Sequence, residues 1–339
     1  MADAKGILIG GEMPASGGRP GMTLELLGIG RKLADHLGEE LSVLVMGESL
    51  SEAEGKELIA HGADTVYIAN HPLLARYHPD SFTAATEQVV RGLSPSVFLM
   101  GRSEIGQDVA PAVGFRLRTG VAMDCLDLQV DPDSRKLVMI RPVYGGNARA
   151  HFVCTEVYPQ IATVRPKTQD PAPRQEGRQG RVEFLEVTLD PSVHRSEWVS
   201  YEKWQSTGGV SLTSAEYVVS GGRGMGSQEA YKEVIEVAAE VLGGAAGASK
   251  ACCDAGYAPP GNQVGLTGQR VSPKLYVAVA ISGASQHIAG MGTSKTIVAV
   301  NKDPDANIFK VARYGVVADY KQVMPAFIRK CRELVGRGE

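Results

Sequence analysis

The chain has 339 residues, of which 43% are hydrophobic, 22% charged and 6% aromatic, with a formal net charge of -3. That length suits two cores better than one, and a slightly acidic chain lacks the concentrated basic surface that nucleic-acid binding demands. No apolar run approaches the roughly 18 residues of a membrane-spanning helix, and the opening MADAKGILIGGE has neither an apolar signal core nor an Arg-rich leader. The expectation is a soluble, cytoplasmic, prokaryotic protein with no nucleic-acid partner and no direct membrane insertion.

The 40 glycines point to many tight backbone passages. Five cysteines, Cys125, Cys154, Cys252, Cys253 and Cys331, are scattered without the paired spacing of a metal site. They read as reduced thiols, with Cys252 and Cys253 as small buried residues at a helix start.

In chain order, GILIGG reads as a strand, LELLGIGRKLADHL as a helix, LSVLVMG as a strand, SEAEGKELIAHG as a helix and TVYIAN as a strand; FTAATEQVVRGL and VFLMG follow as helix and strand. Such alternation predicts a parallel sheet covered by helices. The segments LDLQVD, KLVMIRPVY, AHFVCTE and QIATVRP then predict an antiparallel extension. RPKTQDPAPRQEGRQGR, residues 165 to 181, has the composition of a surface loop; the strand pattern VEFLEVTL after it needs a neighbour. The domain boundary is therefore placed in QSTGGVSLTS, giving an N-terminal α/β domain over 1–208 and a second domain over 209–339.

The second α/β unit opens with the strand EYVVS, the turn GGRGMGS and a helix through QEAYKEVIEVAAEVL. Tyr231, Val234, Ile235, Ala238 and Val241 recur at helical spacing and form one apolar face. Strands follow at AAGAS, LYVAVAIS, TIVAVN and GVVAD, and KQVMPAFIRKCRELVG closes as a helix in which Pro325 is tolerable only near the first turn. The result is a doubly wound sheet, Rossmann-like or flavodoxin-like, with Gly-rich loops at the strand ends where such sheets bind ligands.

SGGRGMGS lies between a strand and a helix, where backbone N–H groups favour an anion such as a pyrophosphate; Arg223 adds a planar charged fork suited to phosphate. The spacing is not GxGxxG, which counts against an ordinary NAD site. GASKACCDAG, QVGLTGQ and SGASQH repeat the pattern of a polar group among small residues. Small residues let backbone approach a flat ligand, while Ser249, Thr267, Ser282, Gln286 and His287 can hydrogen-bond ring heteroatoms. Singly, each has a bland alternative as a turn, cap or core residue; their clustering is what points to a ligand.

The run SGGRG, GASKAxxDAG, QVGxTGxxVxPxLYxAxxISGAxQHxAGM, NKDPDAxIF and YGVVAD resembles the α subunit (large subunit) of the electron-transfer flavoprotein family, in order and over about 100 residues. GQDVAPAVGFRLRTGVAMDCLDLQVD and RPVYGGNARA extend a looser likeness to the N-terminal half. The resemblance implies FAD contacts at Arg223, Gly224, Ser249, Lys250, Val264, Gly265, Leu266, Thr267, Ser282, Gly283, Ala284, Ser285, Gln286, His287, Asn301, Asp319 and Tyr320, with Thr267 by flavin N5, His287 near the N1/O2 edge, and Asn301 and Asp319 on the adenosine side. It also implies a heterodimer with a β subunit contacted by the N-terminal domain, an acyl-CoA dehydrogenase-type electron donor, and a quinone-reducing or other membrane-associated acceptor.

Reduction puts negative charge on the N1/C2=O edge, so a donor or cation there favours electron uptake. A unit charge near 4 Å at an effective dielectric of about 20 is worth roughly 4 kcal/mol. Against the family pattern, Lys250 replaces an arginine, Leu266 a glutamine, Ala280 a glycine and Arg313 an aspartate; a buried lysine, unlike arginine, can lose its proton. The alternatives are an electron-bifurcating variant using NADH and two FAD, a nicotinamide-dependent oxidoreductase, and a nucleotide-sensing subunit.

Overall fold

β1 (Ile7–Gly10) shows why the N-terminal strands read as unbroken apolar runs. Ile7 and Ile9 point into one cluster of buried side chains and Leu8 into another, on opposite faces of the strand. A strand covered on both sides has no place for polar alternation. The computed structural model describes residues 4–13, 21–144, 148–200 and 210–336. The chain divides into two compact units, residues 1–143 with 148–199, and residues 200–339 with the short segment 144–147. The boundary expected between 208 and 209 lies outside the described residues.

In the first unit β1 is followed by α1 (Gly21–Leu37), β2 (Leu41–Gly47), α2 (Glu52–Ala60), β3 (Thr65–Asn70), α3 (Pro79–Leu93), β4 (Val97–Gly101), α4 (Glu104–Leu117), β5 (Val121–Cys125), β6 (Asp127–Val130), β7 (Leu137–Val143), β8 (Ala148–Val153), β9 (Gln160–Val164) and β10 (Arg181–Leu185). Seven strands form one parallel sheet in the order β10-β3-β2-β1-β4-β9-β5. Leu24, Leu27 and Leu33 of α1 and Leu58 of α2 cover the face of Ile7 and Ile9; Phe82 and Val89 of α3 and Val109 and Val113 of α4 cover the other. Each such side chain contributes about 1.5–3 kcal/mol by leaving water.

Two local expectations need correction. QIATV is no part of an antiparallel extension: as β9 it sits between β4 and β5 in the parallel sheet, all five residues buried, and only β6, β7 and β8 form the antiparallel sheet. Residues 104–117, to which periodicity assigns no element, form α4 despite Gly106, Pro111 and Gly114. Gly106 marks close packing there, since a Cβ would stand 1.9 Å from the Gly101 carbonyl oxygen. Residues 165–180 hold no strand or helix, as expected of a loop, but its first residue is anchored: Arg165 grips buried Asp124 at 2.9 and 2.6 Å. VEFLEVTL supplies β10, whose neighbour is β3.

The second unit contains β11 (Tyr217–Gly221), α5 (Gln228–Tyr231), a π-helical turn over Lys232–Glu236, α6 (Val237–Leu242), β12 (Ala245–Ala248), α7 (Lys250–Asp254), β13 (Leu275–Val279), α8 (Ser285–Met291), β14 (Thr296–Asn301), β15 (Tyr314–Val317) and α9 (Tyr320–Val335). Its five strands are parallel in the order β12-β11-β13-β14-β15. Numbered within the unit this is 2-1-3-4-5, the doubly wound order whose ligand crevice lies where the first and third strands part. Tyr231, Ile235, Ala238 and Met324 cover one face, Leu212 and Met291 the other. Pro325 is the sixth residue of α9, beyond its first turn, and the helix runs on to Val335. Pro325 and Lys321 are both exposed, so the Lys321 carbonyl left without its donor turns to water at little cost. Among the described residues no helix is long and apolar enough to cross a membrane, and no His, Cys, Asp and Glu group is placed to hold a metal.

Candidate functional site

The loops after β11, β12 and β13, together with residues 263–267, line one cavity of about 670 Å³ at the carboxyl ends of the strands. This volume lies within the roughly 300–1,000 Å³ of small-molecule sites. Close backbone contacts build it. At Gly222 a Cβ would stand 1.9 Å from the Ala280 carbonyl oxygen, so the loops after β11 and β13 meet without side chains between them. Gly283 adopts φ +81, and a Cβ there would come within 2.2 Å of the Ile308 nitrogen. The segment 263–268 is tied to β12 by Val264 N–H donating to the Ala248 carbonyl and to α8 by Leu266 N–H donating to the Gln286 carbonyl, both at 2.8 Å.

Beneath the cavity, the Tyr231 hydroxyl donates to the Gly247 carbonyl at 3.1 Å and accepts from Asn262 Nδ2 at 3.2 Å, fixing the end of β12 to the 260–262 turn. Ser249 caps α7, its Oγ accepting from Cys252 N–H at 3.3 Å. Burial pushes the Cys252 thiol up to about 12 and the Cys253 thiol up to about 11, so both stay protonated.

Of the residues singled out from the sequence, Arg223, Gly224, Ser249, Lys250, Val264, Gly265, Leu266, Thr267, Ser282, Ala284, Gln286 and His287 line this cavity. Gly283, Ser285, Asn301, Asp319 and Tyr320 do not. Asn301 spends its amide on backbone, donating to the Ile281 carbonyl at 2.8 Å and accepting from Asp303 N–H at 2.9 Å. Asp319 caps α9, and the buried Tyr320 hydroxyl donates to the Met225 carbonyl at 2.8 Å. Ala251, Asp254, Gln263, Ala280 and Ile281 also line the cavity and were missed. Asp254 had a signal, the i,i+4 spacing from Lys250 on one helix.

Lys250 is not buried: its side chain is 63% exposed, and its ammonium holds both Asp254 oxygens, at 2.9 and 2.8 Å. The buried setting considered for this lysine is not what the structure shows. His287 is 6% exposed, and burial pushes its imidazole down to about 4, so it is neutral at pH 7. Its Nε2 shares a hydrogen bond with the Tyr276 hydroxyl at 3.0 Å. Its Nδ1 is buried beside the Val264 backbone and completes no hydrogen bond of good geometry.

The family model described as the electron transfer flavoprotein domain matches residues 20–190, and that described as the electron transfer flavoprotein FAD-binding domain matches 211–292. The electron transfer flavoprotein subunit alpha of Thermoanaerobacterium thermosaccharolyticum is 41% identical over 334 residues, covering 98% of this chain and 100% of that one. The chain belongs to the electron-transfer flavoprotein α-subunit family. The subunit alpha of Megasphaera elsdenii is 39% identical over 337 residues, covering 99% of each chain, and the protein FixB of Clostridium saccharobutylicum is 39% identical over 336 residues, covering 99% of this chain and 98% of that one.

For an electron-transfer flavoprotein α subunit the cofactor is FAD, and every lining residue of the cavity falls inside the matched FAD-binding segment. The residues present fit that group. Arg223 and Lys250 provide positive charge, small residues admit a flat ring, and Ser249, Thr267, Ser282 and Gln286 place polar side chains in the lining.

Proposed function

We propose that this chain holds FAD in the cavity of its second unit, pairs with a β subunit, and carries electrons from acyl-CoA dehydrogenase-type flavoproteins to a quinone-reducing or other membrane-associated acceptor. The observation that carries the reading is the meeting of four loops in one cavity within the FAD-binding segment. FAD, when bound, supplies the electron-accepting and electron-donating chemistry. The chain's own groups would bind and orient it: Arg223 would attract the diphosphate, the small residues around Val264, Gly265 and Ala280 would admit the ring, and Thr267 and His287 would offer it polar groups. His287 acts there as a neutral hydrogen-bonding group, because burial keeps it uncharged.

Asn301, Asp319 and Tyr320 belong to the adenosine side in this reading, beyond the lined cavity. The first unit is the contact for the β subunit, a role supported by Phe115, Phe152 and Val153, which expose 85%, 42% and 43% of their surface. The test is the absorbance spectrum of the purified heterodimer after reconstitution with FAD. A flavin band with one FAD per heterodimer is expected. Absence of the band removes the carrier reading, and two FAD per heterodimer would replace it with a bifurcating one.

A further inference from the structure

Three charged side chains line the cavity, Arg223, Lys250 and Asp254, and they are not equivalent. The Arg223 side chain has no ion pair among the described residues, whereas Lys250 is chelated by both Asp254 oxygens. Asp254 is also the one carboxylate in the lining. A carboxylate beside a site for an anionic diphosphate and for a ring that gains negative charge works against both, unless its effect is spent on a neighbour. Its spacing from Lys250 on α7 directs it there. As an i,i+4 pair on exposed side chains it steadies α7 only weakly, and what sets it apart is its place in the cavity lining.

We propose that Asp254 is a positioning residue that sets the reduction potential of the bound flavin by holding the Lys250 ammonium and offsetting its charge, leaving Arg223 as the uncompensated cation of the lining. The inference rests on the FAD reading above and deepens it. Water damps the pair in the exposed state, and a flavin bound in the cavity would displace some of that water and strengthen the pair's field. Arg223 then governs how tightly FAD is held, and the pair governs how readily it takes an electron.

The experiment is a potentiometric titration of FAD in the full chain with its β subunit, comparing wild type, Asp254→Asn, Lys250→Gln and the double variant, with FAD affinity measured alongside. Asp254→Asn should favour the first reduction about tenfold, or about 59 mV for one electron. Lys250→Gln should disfavour it by a similar factor, and the double variant, which deletes both charges, should return to within about threefold of wild type. Asp254→Glu should stay near wild type. Opposite shifts that cancel are a signature that loss of packing would not produce. Shifts of the same sign, no shift, or a double variant that fails to return overturn the proposal while FAD stays bound. A wild-type heterodimer that retains no FAD sinks the cofactor reading, and this proposal with it.

Discussion

Ala280 holds the left-handed conformation at φ +55, a region that favours glycine. A side chain there costs roughly 1–2 kcal/mol, partly regained because alanine restricts the unfolded chain. Ala280→Gly is therefore expected to raise stability by about 0.5–1 kcal/mol, read as the midpoint of urea unfolding. His287 makes a second prediction. Its imidazole is neutral in both states above the ordinary value of 6.5; below that the unfolded chain takes up a proton while the folded one resists until about 4. Stability is thus lost as pH falls through this window, by about 2 kcal/mol at pH 5 relative to pH 7 from this residue. His287→Asn should show a loss smaller by about that amount, measured without FAD. Arg223→Ala removes a charge-assisted contact worth about 1.5–3 kcal/mol and should weaken FAD binding roughly 10- to 100-fold in a fluorescence titration.

Among the elements, the loops decide the site and the strands position them. The turn at Gly283 brings backbone to within hydrogen-bonding distance of the next segment, with Ile308 N–H donating to the Ser282 carbonyl at 3.1 Å. Gly283→Ala would force these apart at a position that also needs positive φ, and a loss of at least about 2 kcal/mol is expected in thermal or urea unfolding. That glycine was readable in the sequence as part of SGASQH, because a special backbone conformation leaves its mark on residue type. α4 was not readable, since glycines that permit close packing look identical to glycines that break a helix. β9 was not readable as a parallel strand either: five buried residues identify a strand but not which strands flank it.

For the whole molecule, the cavity belongs to the second unit alone. FAD should accordingly slow amide exchange around Gly222–Gly226, Val264–Gly268 and Ala280–His287, leaving β1 to β4 unchanged; broad slowing in the first sheet would contradict a site confined to the second unit. The sequence by itself determined the two α/β units, the doubly wound second sheet and the loops that form its cavity. Strand runs covered on both faces, an apolar helix face and Gly-rich turns are local requirements, and local requirements are written in residue type and spacing. Tertiary structure alone decided the place of β9, the gripping of Asp124 by Arg165 and the neutrality of His287. Strand neighbours, ion pairs between residues far apart in the chain and desolvation all depend on which distant residues arrive at a given point, and no local pattern encodes that arrival.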